Sequence, residues 1–224
     1  MEGYTTLKVK SIKKIEKRKK VYNLSCEPHS YYHANGILNH NCDSKYSWKD
    51  GKYVTTQSIV DYIKKEKPNG LIITGGEPLL QSVEIYKLIT ELPTDLPIEI
   101  ETNGTIPPLK ELMAQTNVSF NVSPKLSNSG NAIEKRINIG ILNLFNSTRS
   151  IYKFVISNKN DLKEIEAIIK PIAIKPGKIY LMPEGITAAE QAKKQEYVIK
   201  FALERGWNFS PRLQVIVWDK KRGV

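Results

Sequence analysis

From residue 56 onward, short β-type apolar stretches alternate with amphipathic ones, and this alternation confines the fold more tightly than any other feature. Candidate strands fall at 70–74, 98–102, 118–122, 151–156, 178–182 and 213–218, with helical stretches near 56–66, 79–91, 106–114, 131–143, 160–170 and 187–205. Strand and helix in strict turn predict an α/β fold, a parallel sheet or partial barrel whose chemistry gathers at the C-terminal strand ends. The first 41 residues obey another grammar. Leu7, Val9 and Ser11 alternate, a basic turn follows, then comes Val21-Tyr22-Asn23-Leu24-Ser25-Cys26, and Asn35-Gly36 marks a tight turn. No internal repeat or low-complexity linker separates the two regions.

Composition narrows the classes. With 40% hydrophobic and 25% charged residues, 224 residues bury one ordinary core and a small appendage. No apolar run reaches the roughly 18 residues that span a bilayer, and no signal-peptide order opens the chain, so a cytoplasmic protein with no membrane partner is expected. Two cysteines, Cys26 and Cys42, are too few for a disulfide framework, which leaves chemistry as a use for at least one. The net charge of +11 is uneven: residues 1–41 hold eight Lys/Arg against three Glu. The excess lies in Lys13, Lys14, Lys17, Arg18, Lys19 and Lys20, without interleaved aromatics, so no nucleic-acid partner is expected.

Asn41 followed by Cys42 is a backbone-cleaving arrangement. The Asn41 side-chain nitrogen attacks its own carbonyl, forms a succinimide and releases the peptide that begins at Cys42. His40 stands beside that bond as proton donor, and the Cys42 thiol accepts an acyl group before its freed amine captures it. The surrounding residues, Val21-Tyr22-Asn23-Leu24 and Ala34-Asn35-Gly36-Ile37-Leu38-Asn39-His40-Asn41-Cys42, resemble the last two blocks of an intein. Aligned without a gap from Asn35, the family's upstream histidine falls at Ser30, so His29 takes that role with a one-residue adjustment, and His33 is the other candidate. The bland alternative makes Cys26, His29 and His40 core or metal-site residues. No C-x2-C pair is present to nucleate a zinc knuckle, and Cys26 reads as a small buried hydrophobe. The resemblance implies an all-β intein fragment over 1–41, dependent on a partner that carries the N-terminal intein and host segments. The basic run is then a steering surface for an acidic partner fragment.

After the junction, Cys42-Asp43-Ser44 resembles the end of a radical S-adenosylmethionine cluster motif. Leu71-Ile72-Ile73-Thr74 runs into Gly75-Gly76-Glu77-Pro78-Leu79-Leu80-Gln81, where two glycines permit close backbone approach and Glu77 supplies a counter-charge. Glu101-Thr102-Asn103-Gly104-Thr105, Ser123-Pro124-Lys125, Leu181-Met182-Pro183-Glu184-Gly185 and Pro211-Arg212-Leu213 through Gly223-Val224 continue the series. Each has a bland counterpart in a cap, a turn or a solvated lysine. Together, in order and at successive strand ends, they are similar to the 7-carboxy-7-deazaguanine synthase family over 42–224. The tail departs from that family at Gln214, where relatives place His, and at Asp219, where they place Gly.

The resemblance implies a radical S-adenosylmethionine lyase of the TIM-like partial-barrel type. Such an enzyme converts 6-carboxy-5,6,7,8-tetrahydropterin to 7-carboxy-7-deazaguanine, on the way to queuosine or archaeosine. It implies a 4Fe-4S cluster with Cys42 as one ligand, the other thiolates lying upstream. It also implies Mg²⁺ at Ser44, cofactor binding by Gly75, Gly76, Glu77, Pro78, Glu101, Asn103, Ser123 and Lys125, and a substrate contact at Gln214. A flavodoxin or ferredoxin as reductant and a homodimer after splicing complete it. Two other readings stand: a glycyl-radical-enzyme activase, disfavoured by Cys42-Asp43-Ser44 and by the Arg-Gly-Val tail, and a splicing component with a degenerate enzyme passenger.

Overall fold

The computed structural model describes residues 7–9, 23–24, 52–75 and 77–219. The chain divides into two units, one made of 1–102 and 106–120, the other of 103–105 and 121–224.

In the first unit, β1 (Leu7–Val9) pairs antiparallel with β3 (Lys52–Val54), Leu7 opposite Val54. The strand β2 (Asn23–Leu24) runs parallel to β4 (Leu71–Ile73), which in turn runs parallel to β5 (Ile98–Thr102), Leu71 opposite Ile98. Parallel neighbours need long crossovers. Here these contain α1 (Thr56–Glu66) and α2 (Ser82–Thr90). Thr55 caps α1 by accepting from the Ser58 amide at 3.1 Å, and Ile59, Val60 and Ile63 form its buried stripe. A short α3 (Lys110–Ala114) precedes β6 (Val118–Val122), within which the division between the units falls.

The second unit continues with α4 (Ile133–Arg136) and α5 (Ile139–Asn146), then β7 (Ser150–Ile156), α6 (Asn160–Ile169), β8 (Ile179–Pro183), α7 (Ala188–Arg205), β9 (Asn208–Phe209) and α8 (Leu213–Trp218). The strands β7, β8 and β9 are parallel, with Phe154 opposite Leu181 and Leu181 opposite Phe209. Helix α7 opens with a capping box between Thr187 and Glu190 and closes on Gly206 at φ 63°.

Burial alternates along these strands. In β5, Ile98, Ile100 and Thr102 are buried while Glu99 and Glu101 are half-buried; in β7, Tyr152, Phe154 and Ile156 are buried while Lys153 is not. A parallel sheet covered by helices on both faces would be apolar throughout. In each unit the alternation gives one face to the core; the alternate residues are Glu99 and Glu101 in the first unit and Lys153 and Tyr180 in the second.

The expected parallel α/β pattern forms, with specific corrections. Residues 213–218 make helix α8, not a strand, and the last parallel strand is Asn208–Phe209. The helix expected over 79–91 splits into a 3-10 turn, Pro78–Gln81, and α2, because Gln81 leaves helical geometry at φ −115°, ψ 36°. That over 106–114 shrinks to α3, since Pro107 and Pro108 cannot supply helical amides. That over 131–143 breaks at Asn138, which caps α5 through the Ile141 amide at 3.0 Å. Of residues 1–41 only β1 and β2 are described, and both pair with strands that follow Cys42; the all-β fold expected there otherwise lies outside the described residues. No helix among the described residues is long and apolar enough to cross a membrane.

Two positions carry left-handed backbone with consequences. Gly104 has φ 76°, and a Cβ there would lie 2.6 Å from Leu142 Cδ2 and 2.8 Å from Val122 Cγ1. Gly104→Ala is expected to cost about 2–4 kcal/mol, from strain plus overpacking, in urea unfolding; an unchanged midpoint would refute the close packing of this turn. Asp219 has φ 51°, ψ −127°, which accounts for glycine suiting that position. Its carboxylate accepts from the Ala188 amide at 3.1 Å, at the first turn of α7. Asp219→Ala forfeits that bond and keeps the strain, whereas Asp219→Gly removes the strain. The glycine variant is therefore expected to be the more stable of the two by about 1 kcal/mol, and an alanine variant of equal or greater stability would contradict the assignment.

Candidate functional site

In the first unit the chain leaves β4 through Thr74 and Gly75 and reaches Glu77, which is 2% exposed. Glu77 is extended at φ −147°, and Pro78 opens the 3-10 turn behind it, a position where the missing amide costs nothing. The Glu77 carboxylate accepts from the Leu79 amide at 3.2 Å and from the Thr102 hydroxyl at 2.8 Å. Thr102 belongs to the buried face of β5, so the end of that strand fixes the carboxylate that follows β4. Glu101 lies on the opposite, half-buried face.

Gln81 closes this turn. Its carboxamide is 3% exposed, and neither Nε2 nor Oε1 has a hydrogen-bond partner among the described residues. A buried amide left in that state costs roughly 1–3 kcal/mol, so a polar group from elsewhere is required to satisfy it.

In the second unit, Asn103 is buried and its Oδ1 accepts from the Thr105 amide at 2.8 Å and from the Thr105 hydroxyl at 2.6 Å. This closes a turn on itself. Gly104 in that turn abuts Val122, the residue before Ser123, so the turn after β5 and the segment Ser123-Pro124-Lys125 are neighbours. Ser123 and Lys125 are both half-buried. At the far strands, the Gly185 carbonyl accepts from Arg212 Nη1 at 3.1 Å and from Gln191 Nε2 at 3.3 Å, while Gln191 Oε1 accepts from the Arg212 amide. Burial lowers the pKa of the Arg212 guanidinium. These bonds tie the Pro211-Arg212 segment to the Pro183-Glu184-Gly185 exit of β8.

The structure thus brings Glu77 to Thr102 in one unit and Asn103 towards Ser123 in the other. His29, His40, Asn41, Cys42, Ser44 and Gly76 lie outside the described residues, and Gln214 lies in helix α8. Among the described residues no group of three His, Cys, Asp or Glu is placed to hold a metal. Thr102 and Gln81 were present in the motifs but carried no role in the sequence reading. A hydroxyl two residues before a turn looks like ordinary β-propensity until the carboxylate it serves is placed beside it.

Comparison with known proteins gives these features a family. Residues 18–137 match the model described as a 4Fe-4S single cluster domain. The 7-carboxy-7-deazaguanine synthase of Pyrobaculum aerophilum is 31% identical over 187 residues, 81% of this chain and 81% of that protein. That of Clostridium acetobutylicum is 37% identical over 194 residues, covering 82% and 83%, and that of Halobacterium salinarum 30% over 205 residues, covering 80% and 77%. Among solved structures, Streptococcus suis SuiB matches 73% of this chain and 45% of its own, with TM-score 0.47 and 14% identity. On the extent and identity of these matches, the chain belongs to the 7-carboxy-7-deazaguanine synthase family.

Proposed function

We propose that residues 42–224 are the larger part of a radical S-adenosylmethionine lyase that makes 7-carboxy-7-deazaguanine from 6-carboxy-5,6,7,8-tetrahydropterin, and that residues 1–41 are an intein fragment removed by splicing with a partner. The buried Glu77 carboxylate, fixed by Thr102 and Leu79 at the exit of β4, carries the enzymatic part of this reading. A carboxylate held in a fixed place at a strand exit makes strong hydrogen bonds to a cation, and the methionyl ammonium of S-adenosylmethionine is such a cation. The Gln81 carboxamide in the same turn, without a hydrogen-bond partner among the described residues, fits a bound molecule with donors and acceptors of its own. The residues present therefore suit S-adenosylmethionine. Gly75 leaves room for its backbone approach and Glu77 holds its ammonium; the cofactor role of Ser123 and Lys125, in the second unit, rests on the family resemblance. When bound beside an iron-sulfur cluster, S-adenosylmethionine supplies hydrogen-abstraction chemistry.

The chain's thiols do not suffice for the cluster. Three thiolates are needed and the sequence holds two cysteines, so at least one ligand comes from another polypeptide segment. Splicing onto an upstream piece would supply it. Mg²⁺ at Ser44, a substrate contact at Gln214, a flavodoxin or ferredoxin reductant and a homodimer belong to the same proposal.

Two observations favour a second reading of the first 41 residues: the family-model match begins at residue 18, and β2 runs parallel to β4. Under it, residues 18–41 belong to the cluster domain and Cys26 is a ligand beside Cys42. The two are separated by mass. Supplied with an upstream polypeptide ending in an intein N-terminal block, the chain is expected to release a fragment ending at Asn41, and Asn41→Ala is expected to abolish that release. No release from the wild type, together with loss of bound iron in Cys26→Ala, would install the second reading.

Glu77→Gln keeps the shape of the side chain and removes its charge. It is expected to weaken S-adenosylmethionine binding by the reconstituted protein on the order of tenfold or more, since hydrogen bonds to charged groups contribute about 1.5–3 kcal/mol. Calorimetric affinity equal to that of the wild type would remove Glu77 from the site.

A further inference from the structure

The loop that follows β6 is gripped by an ion pair between a buried arginine and a half-buried glutamate. Arg136, 6% exposed at the end of α4, donates from Nε to the Asn131 carbonyl at 3.0 Å and from Nη1 to the Lys125 carbonyl at 3.0 Å. The same Nη1 meets Glu164 Oε1, from α6. The other carboxylate oxygen, Glu164 Oε2, accepts from the Ser127 amide at 2.8 Å. Burial alone would raise the Glu164 pKa, but the Ser127 amide and Arg136 outweigh it and hold the carboxyl below its ordinary value.

One pair of charges thereby holds the backbone on both sides of Leu126, which is itself buried. The neighbouring bonds repeat the pattern. Asn128 Nδ2 donates to the Val155 carbonyl at 3.1 Å and to Asp161 Oδ2 at 3.0 Å, and Asp161, 2% exposed, also accepts from the Ser157 and Asn158 amides. Ser129 donates to the Leu126 carbonyl at 2.7 Å. Most surface ion pairs contribute little. In this one the arginine is buried and the glutamate half-buried, both also bond backbone groups of a loop, and a loop whose peptide planes are fixed by charged side chains has little freedom to redirect what it carries.

What the loop carries is Ser123 and Lys125. We infer that Arg136 and Glu164 are positioning residues for cofactor binding: acting through the Lys125 carbonyl and the Ser127 amide, they hold Ser123 and Lys125 in the orientation that receives S-adenosylmethionine. This rests on the reading of Ser123 and Lys125 as cofactor-binding residues. The pair makes no contact with the cofactor itself. The geometry also says which replacements fail. Lysine at 136 keeps the charge but cannot reach two carbonyls and a carboxylate from a rigid fork, and exchanging the two charges restores an ion pair without restoring either backbone bond.

The test uses the chain joined to its upstream segment and reconstituted with iron and sulfide, with S-adenosylhomocysteine as the probe, at a temperature well below every variant's unfolding midpoint. Titration calorimetry is run on the wild type, Ser123→Ala, Lys125→Ala, Arg136→Lys, Glu164→Ala and the double exchange Arg136→Glu with Glu164→Arg. Arg205→Ala, which removes the exposed pair with Glu166, is the control. Hydrogen exchange of the 123–130 peptide is followed in the same samples without probe. Arg136→Lys, Glu164→Ala and the exchange are expected to weaken binding roughly ten- to hundredfold and to speed exchange in 123–130, with Arg205→Ala changing neither. Added guanidinium is expected to recover part of the affinity of an Arg136→Ala variant. Unchanged exchange in 123–130 in Arg136→Lys and Glu164→Ala overturns the inference. So does wild-type affinity in those two variants while Lys125→Ala binds weakly, and the cofactor reading then survives. If the wild type fails to bind, or Ser123→Ala and Lys125→Ala bind as it does, the cofactor reading fails and takes the inference with it.

Discussion

Parallel pairing is the constraint from which the rest of this structure follows. Strands that run the same way cannot be joined by a tight turn, so each must be followed by a crossover that returns the chain to the starting edge. Within the first unit β4 and β5, and within the second β7 and β8, therefore emit their loops at the same end. The motifs Gly75 to Gln81 and Thr102 follow from this arrangement in one unit, and the Gly185 exit in the other. Within each unit, a sequence that spaces its glycines, prolines and acids after each strand needs no other device to place them at one end of that unit's strands.

The second consequence lies in burial. Because one face of β5 in the first unit, and one face of β7 in the second, holds that unit's core, the alternate residues are free to be polar, and Glu101 and Lys153 each occupy a place where a doubly covered sheet would demand valine or isoleucine. The buried face is used as well. Thr102 points into it and still supplies the hydroxyl that holds Glu77. Tyr152, fully buried, spends its hydroxyl on the Leu142 carbonyl at 2.7 Å, and burial pushes its pKa up to about 12. One buried hydroxyl thus serves a carboxylate of the motif, while the other closes a core contact.

Much of this was legible before any coordinates. The strands over 98–102 and 118–122 and the helix over 56–66 have the residue bounds that their patterns suggest, because β-branched runs and an i, i+4 stripe leave little choice. The run Leu213-Gln214-Val215-Ile216-Val217-Trp218 misleads for the same reason. Its β-branched residues suit a strand, but α8 leaves Leu213, Ile216 and Val217 exposed, so the composition reflects something other than a place in the sheet. Local pattern cannot report which element a segment packs against, and propensity yields to that packing. The site divides similarly. The acid, the glycines and the lysine stand out in the sequence, whereas Thr102, Arg136 and Glu164 are ordinary surface-type residues until long-range contacts bring them to Glu77, Lys125 and Ser127.

Cys42 is where the two proposed activities meet, and their chemical demands can be compared without coordinates. Splicing needs a thiol or hydroxyl that attacks an acyl group, and a cluster needs a thiolate that binds iron. Only the cluster demands cysteine over serine or threonine, and an intein inserted ahead of such a cysteine finds its nucleophile already supplied by the host. One sulfur cannot do both at once. An acylated Cys42 has no thiolate to give, and an iron-bound Cys42 has shared its charge with the metal and is a poorer, more hindered nucleophile. On the splicing reading, ligation is therefore expected to precede any binding of iron at this position, because one sulfur serves both. On the alternative, in which Cys26 and Cys42 are both ligands, no such order exists and iron binding is open to the chain as translated.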